Sequence, residues 1–356
     1  MTDKVEHSKD PIANYQKQFE AFWEQSLPGI AKSHSALQPM LEHHFISKGK
    51  FLRPALTMAF YNVLQKDQVD TDTQQSYPTE VLQTALAIEI LHNATLVHDD
   101  LQDGDTHRRG VPTVWKQFDA YQAINTGSAL YFHAVRLLST LKIEPEIAIT
   151  LTKVLSQQTL SIIAGQAAEK ELWSQMDPKE FATAKALYLD TVQKKTSALF
   201  AIPLICAAVL SGKKSDLLPR LEGIALPLGA LFQIQDDLLD LYGDKGRNSA
   251  GNDLAEGKPS FIALHALYHA PKEESQRLRT LLETPREECK QEEIDWAIQW
   301  LRDNGSLQAS LDLIESLHKE AQDEIAQLQL HQSTEPLQYF VSAIYQKVLQ
   351  PIQHLL

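Results

Sequence analysis

Sulfur is nearly absent as a resource for this chain: 356 residues hold two cysteines, Cys206 and Cys289. Two thiols that far apart make neither a disulfide framework nor a CxxC metal site. Positive charge is also short, with 33 Lys and Arg against 46 Asp and Glu and a formal net charge of −13. So acidic a balance argues against a nucleic-acid partner, because phosphate backbones are held by basic faces. Any anionic ligand must find a local basic pocket. β-branched alternation is scarce, which excludes a sheet-built fold. The opening MTDKVEHSKDP lacks the apolar core of a secretory signal. The longest stretch without charge, Thr196 to Gly212, is short for a membrane span and contains Pro203. It reads as a buried helix pair or a kinked core helix. No transmembrane segment is expected, and the cytoplasm is the default compartment.

What is present is helical periodicity almost everywhere. No repeat of fixed period and no low-complexity linker divides the chain. The expectation is one all-α domain over 1–356, a bundle of about a dozen helices around a central apolar cavity. The motif-bearing part covers about 45–262, and helices in 272–350 serve packing. Two helices are expected in 12–45, the second after Pro28-Gly29, and polar loops at 66–78, 104–113 and 242–257. Val81 to Leu96 leaves almost no polar face, so that helix should be central. Ser306 and Thr334 are expected to cap the last two helices.

The central helix ends in LHNATLVHDDLQDGDTHRRGVPT, Leu91 to Thr113. Asp99, Asp100 and Asp103 stand at its end, and Asp99 and Asp103 are one helical turn apart. Carboxylates stacked in this way repel unless a cation lies between them, and Mg²⁺ takes one or two such ligands together with substrate phosphate oxygens. Arg108 and Arg109 follow as planar phosphate donors. A lone DDxxD reads equally well as a solvated helix end. A second copy, Asp236, Asp237 and Asp240 in FQIQDDLLD, again ends an apolar helix. Acids are locally unfavourable at a helix C-terminus, so two such placements call for cations between facing helices. Lys50 and Arg53 stand at a helix start, where anions are favoured. Lys195-Thr196 interrupts a helical run, Lys258 follows the glycine-rich loop, and His92 lies two turns before Asp99.

With these pieces on the page, the sequence resembles the trans-isoprenyl diphosphate synthases, or polyprenyl synthetases. The matching segments are GKFLRP (49–54), 91–113, AINTG (123–127), GQAAE (165–169), KT (195–196), FQIQDDLLD (232–240) and GNDLAEGKPS (251–260). The resemblance implies Mg²⁺, three ions with substrate bound, held by Asp99, Asp100, Asp103, Asp236, Asp237 and Asp240. It implies an allylic diphosphate gripped through those ions, by Arg108, and by Lys195, Thr196, Gln233 and Lys258. Isopentenyl diphosphate would rest on Lys50, Arg53, His92 and Arg109. The implied reaction is head-to-tail condensation, with no protein nucleophile, in a homodimer. Phe51, Ser128 and Glu169 depart from the family pattern, Phe51 standing where many members have a base.

Product length is read from the residues one turn below Asp99. Ala94 and Thr95 are small, where short-chain members carry aromatics, and Leu91 and Ile88 lie deeper. The growing chain is therefore expected to pass this level, giving geranylgeranyl diphosphate or a longer product. Tyr131, Phe132, Phe60 and Tyr61 are further candidates for a floor. Other classes fit less of the sequence. A non-catalytic subunit of the same fold would be expected to lose acids from one cluster, and a metal phosphohydrolase built on His98-Asp99 leaves the second cluster unused. A terpene cyclase or a head-to-head coupling enzyme has a different second motif.

Overall fold

The computed structural model describes residues 11–65, 77–175, 180–212, 217–243, 250–328 and 334–349. Most of the expected 66–78 loop and the centre of the 242–257 loop lie outside the described residues. The fold is all-α, as expected. In chain order the helices are α1 Pro11–Ala31, α2 Gln38–His44, α3 Leu52–Gln65, α4 Thr79–Gln102, α5 Val114–Gln117, α6 Ala120–Ser139, α7 Pro145–Gln175 and α8 Phe181–Val192. They continue as α9 Ala198–Leu210, α10 Leu218–Tyr242, α11 Asn252–Ala255, α12 Phe261–His269, α13 Lys272–Glu283, α14 Gln291–Asp303, α15 Ser306–Ala326 and α16 Glu335–Leu349. The one sheet among the described residues is a small hairpin, β1 His107–Arg108 against β2 Val111–Pro112.

Two apolar cores share the middle of the molecule. One gathers α1, α2, α4, α6 and the start of α7. The other gathers α8, α10 and α12 to α16. α3 and α9 form the wall between them and give side chains to both: Met58, Ile202 and Cys206 to the first, Leu56, Phe60, Phe200 and Leu204 to the second. α9 can do this because Ala198 to Ala208 are all buried, leaving no polar face to turn outward. α4 is buried nearly all round, as its sequence requires.

Several boundaries differ from the sequence expectation. α1 runs through Pro28 rather than ending there; proline removes one donor, and Lys32 N still bonds Pro28 O at 3.1 Å. The break at Lys195-Thr196 is no break. A π-turn, Gln193–Ser197, joins α8 to α9 into one rod. The 104–113 loop holds the hairpin, and the 242–257 loop contains α11. Ser306 is the first residue of α15 instead of its cap; the Asn304 carboxamide oxygen accepts from Ser306 N at 2.9 Å.

Two helical stretches are long and apolar enough to cross a membrane, Phe181–Leu210 and Pro145–Gln175. The first is mostly core, as expected for 196–212, and α9 runs through Pro203 as one helix. The second, α7, is only 22% buried over its apolar window.

Candidate active site

The first acid wall is the end of α4. Asp103 caps the helix, its N–H bonding Asp99 O at 2.8 Å. Asp99 and Asp103 are partly exposed, whereas Asp100 is 2% exposed. Arg108 closes over Asp100: Nε and Nη2 meet Asp100 Oδ1 at 2.7 and 2.6 Å. The hairpin makes this possible by folding Arg108 back toward α4. Burial raises the pKa of Asp100, and Arg108 opposes that rise. Burial also pushes Asp103 up to about 6, with Asp99 adding to it and Lys258 and Lys195 opposing.

The second wall is the end of α10. Gln233 donates to Asp237 Oδ1 at 2.8 Å, and the Tyr188 hydroxyl donates to Asp237 Oδ2 at 3.3 Å. Asp240 Oδ2 accepts from Asp253 N at 2.9 Å, and Gly251 N bonds Asp240 O at 2.9 Å. The loop after α10 is thereby folded back on the acids. It carries Lys258, 3.8 Å from Asp253, whose charge holds the ammonium well above its ordinary pKa. Gly257 beside it lies at φ +66°, with Leu282 O where a Cβ would go, and Trp173 Nε1 donates to Gly257 O at 2.7 Å. Glu169, Asp103 and Asp237 add to the field on Lys258. One cation thus feels both acid walls.

The π-turn supplies the remaining members of this side. Thr196 Oγ1 donates to Gln233 Oε1 at 2.8 Å, and Lys195 Nζ meets Glu169 Oε2 at 2.6 Å. Burial opposes the charge on Lys195, but Glu169 and Asp99 together outweigh it and raise the pKa. Extra turns of this kind widen a helix and recur at functional sites. Here the turn is wedged between two glycines. A Cβ at Gly165 of α7 would lie 2.5 Å from Lys195 N, and one at Gly229 of α10 would meet Ser197.

The second basic group lies about two turns before the acids along α4, around His92. Arg53 and His92 are deep, and both Arg53 Nε and His92 Nδ1 are buried without a hydrogen-bond partner. Burial lowers His92 well below its ordinary pKa, with Arg53 and Arg109 adding to the effect. Arg53 sits over the Phe200 ring, 5.5 Å from its centre. Arg109 is exposed, with φ +51°, and reaches Ser47 O at 3.3 Å. Lys50 is exposed ahead of α3 rather than within its first turn. An unpartnered guanidinium N–H and an unpartnered imidazole nitrogen beside further cations make a seat for an anion.

Sequence reading missed Glu89, buried at 3% in the midst of this basic group. Its Oε1 and the Arg109 guanidinium both flank Gly49, at 3.0 and 3.4 Å from where a Cβ would stand. Burial raises Glu89 to about 7, and Arg53 and Arg109 oppose the rise. An acid three residues before His92, set among Leu, Ala and Ile, was the available signal. His44 and Asn93 were also missed: they bond at 2.9 Å, and burial lowers His44 to about 4. Phe51 is explained by packing. It lies in the left-handed region, φ +49°, with its ring 5.2 Å from Phe19 and 5.4 Å from Trp23. Below the acids, Ala94, Leu91 and Ile88 are fully buried, and Thr95 donates to His92 O at 2.8 Å. Phe132 points outward at 76% exposure and is no floor within the chain, and Phe60 is core.

The donor set suits a hard divalent cation. It consists of carboxylates on two walls with no competing thiol. Among the described residues, no three His, Cys, Asp or Glu side chains converge closely enough to hold an ion by themselves. A cation bound here would share its shell with ligand oxygens, as Mg²⁺ commonly does.

Comparison with known proteins identifies the family and the fold. The family model described as "Polyprenyl synthetase" matches residues 34–301. The chain is 35% identical over 263 residues to a short chain isoprenyl diphosphate synthase of Methanocaldococcus jannaschii, covering 73% of this chain and 75% of the relative. It is 32% identical over 305 residues to a geranylfarnesyl diphosphate synthase of Natronomonas pharaonis, covering 82% and 85%. A crystal structure of a polyprenyl synthase from Caulobacter crescentus, complexed with calcium and isoprenyl diphosphate, superposes with a TM-score of 0.78 at 25% identity, covering 96% of this chain and 99% of that one.

Proposed function

This chain belongs to the polyprenyl synthetase family and is a trans-prenyl diphosphate synthase of isoprenoid biosynthesis, and from that premise we propose that it condenses isopentenyl diphosphate with an allylic diphosphate to give geranylgeranyl diphosphate or a longer all-trans product. The observation that supports the site assignment is the loop that carries Lys258: Asp253, 3.8 Å from the ammonium, donates its N–H to Asp240, and Asp103 of the other wall also acts on Lys258. A ligand between the walls would meet Asp99 and Asp103 on one side, Asp236, Asp237 and Asp240 on the other, and the ammonium groups of Lys195 and Lys258 beside them.

Divalent cations are the family's cofactor, and Mg²⁺, three ions with substrate bound, is the proposal here; the ions would neutralise the departing diphosphate. The chain's own residues do the rest. Lys195 and Lys258 add positive charge where the allylic C–O bond breaks. Thr196, through Gln233, is tied to Asp237 and orients that wall. Arg108 leaves Asp100 partly or wholly to meet the same diphosphate. Arg53, His92, Arg109 and Lys50 hold isopentenyl diphosphate deeper along α4. The isopentenyl double bond attacks the allylic carbon, and a proton then leaves for the released diphosphate. The apolar walls of α3, α4 and α9 shield the cation from water.

Small residues at Ala94 and Thr95 support a product beyond the short-chain class; the relatives named above include both a short chain and a geranylfarnesyl synthase. The homodimer proposal rests on α6 and α7. Tyr121, Ile124 and Phe132 on the first and Ile149, Leu160 and Ile163 on the second are exposed large apolar residues. A second copy would cover them.

The test is turnover of the purified chain with Mg²⁺, labelled isopentenyl diphosphate and each of four starters, from dimethylallyl to geranylgeranyl diphosphate. Chromatography should show a product of 20 carbons or more. No product with any starter would return the non-catalytic subunit, and arrest at 15 carbons would sink the chain-length proposal.

A further inference from the structure

The two acid walls are carried by helices that belong to different cores, and one side chain outside every motif joins their ends. Arg286 begins the short 3-10 turn Arg286–Glu288 after α13. Its Nη1 donates to the carbonyl of Asp103, the cap of α4, at 2.7 Å, and lies 2.8 Å from Glu256 Oε1. Its Nη2 reaches Asn252 Oδ1 at 3.4 Å and Asp105 Oδ1 at 3.8 Å. Asp103 and Asp105 belong to the loop after α4. Asn252 and Glu256 belong to the loop after α10, the same loop whose Asp253 N–H holds Asp240 and whose Lys258 faces both walls.

We propose that Arg286 is a positioning residue that fixes the spacing of the two acid walls, and so sets the affinity of the site for divalent cation with diphosphate. The inference rests on the reading of those acids as the metal site. A planar guanidinium can offer donors to both loops at once, whereas an ammonium concentrates its donors at one point. Arg286 is 34% exposed, so water partly screens its ion pairs and their contribution to folding is modest. Its effect is therefore on the separation of two ligand sets, whose supporting contacts control metal affinity.

The experiment compares the full chain with Arg286→Met and Arg286→Lys. Mg²⁺ is titrated in the presence of inorganic pyrophosphate, with the thermal midpoint as readout, and Mn²⁺ binding is followed in parallel by water proton relaxation. Arg286→Met should raise the half-saturating Mg²⁺ about tenfold, the low end of the effect of removing a supporting contact. Without metal its midpoint should stay within about 2 °C of the parent. The isopentenyl KM should not move, because Arg286 touches none of Lys50, Arg53, His92 or Arg109. Arg286→Lys should recover part of the loss. An unchanged Mg²⁺ midpoint, or a metal-free midpoint that falls together with every kinetic constant, overturns the proposal. If Arg286→Met fails to fold, Asn252→Ala removes one acceptor instead and should shift Mg²⁺ by about two- to threefold, a smaller effect of the same kind; no shift overturns the proposal equally. Failure of the parent chain to gain stability from Mg²⁺ with pyrophosphate would strike the metal reading itself, not this inference alone.

Discussion

Replacing Gly165 by alanine sets two effects of opposite sign against each other. Gly165 is inside α7, where alanine ordinarily gains about 0.5–1 kcal/mol through chain entropy. Its missing side chain, however, is the space occupied by the π-turn: an added Cβ would stand 2.5 Å from Lys195 N and 2.9 Å from Lys194 C and Lys195 Cα. All three are backbone atoms, so no side chain can swing aside. Reaching an ordinary contact of 3.4 Å requires about 0.9 Å of separation between α7 and the turn. Forcing atoms into a packed contact costs about 1–3 kcal/mol, which outweighs the helical gain. Moving Lys195 by that distance should lower kcat by up to about 100-fold, with the isopentenyl KM unchanged. Steady-state kinetics at saturating substrates and Mg²⁺, with thermal midpoints alongside, checks both parts. A Gly165→Ala enzyme with parental kcat and a raised midpoint would refute the reasoning, because it would mean that the contact is slack and propensity decides.

Three further outcomes are expected. Glu89 is held near 7 against an ordinary 4.5, so the native state binds its proton more tightly than the unfolded chain. Its stabilisation is whole below pH 4.5 and is lost as pH rises through 7; Glu89→Gln should therefore gain stability relative to the parent above pH 7, by up to about 3 kcal/mol, and equal slopes of midpoint against pH for the two would contradict this. Phe51→Arg should not strengthen isopentenyl binding, because the position faces Phe19 and Trp23, and should cost about 3 kcal/mol; an improved KM at an unchanged midpoint would show that the side chain reaches the pocket. Ala94→Phe should shorten the product, read by chromatography, and an unchanged product profile would remove Ala94 from the chain-length determinants.

The acid clusters were legible because DDxxD is a local pattern on a helix whose apolar periodicity is itself clear. The fold class followed from the same periodicity. The π-turn was not legible: its hydrogen bonds skip one residue more than those of an α-helix, and no residue type marks that difference. The Gln-Lys-Lys-Thr-Ser stretch therefore read as a break. Arg286 lies 183 positions from Asp103, and nothing local to it indicates a partner. Phe51 illustrates a different limit. The motif around it pointed only to a missing base, whereas the aromatic cluster that receives it is built from α1, outside the motif. Pro28 misled for a local reason, since a proline in a helix removes one hydrogen bond without ending the helix when packing on both sides continues.

The rod formed by α8, the π-turn and α9 touches both anion seats. Lys195 faces the allylic side, and Phe200 lies beneath Arg53 on the isopentenyl side. Five residues of helix separate them, a rise of about 7.5 Å. The gap across which carbon must bond to carbon is thus gauged by a single rigid segment, clasped on either flank by a glycine. Inserting or deleting one residue there would leave each seat able to fill while the reacting ends no longer met.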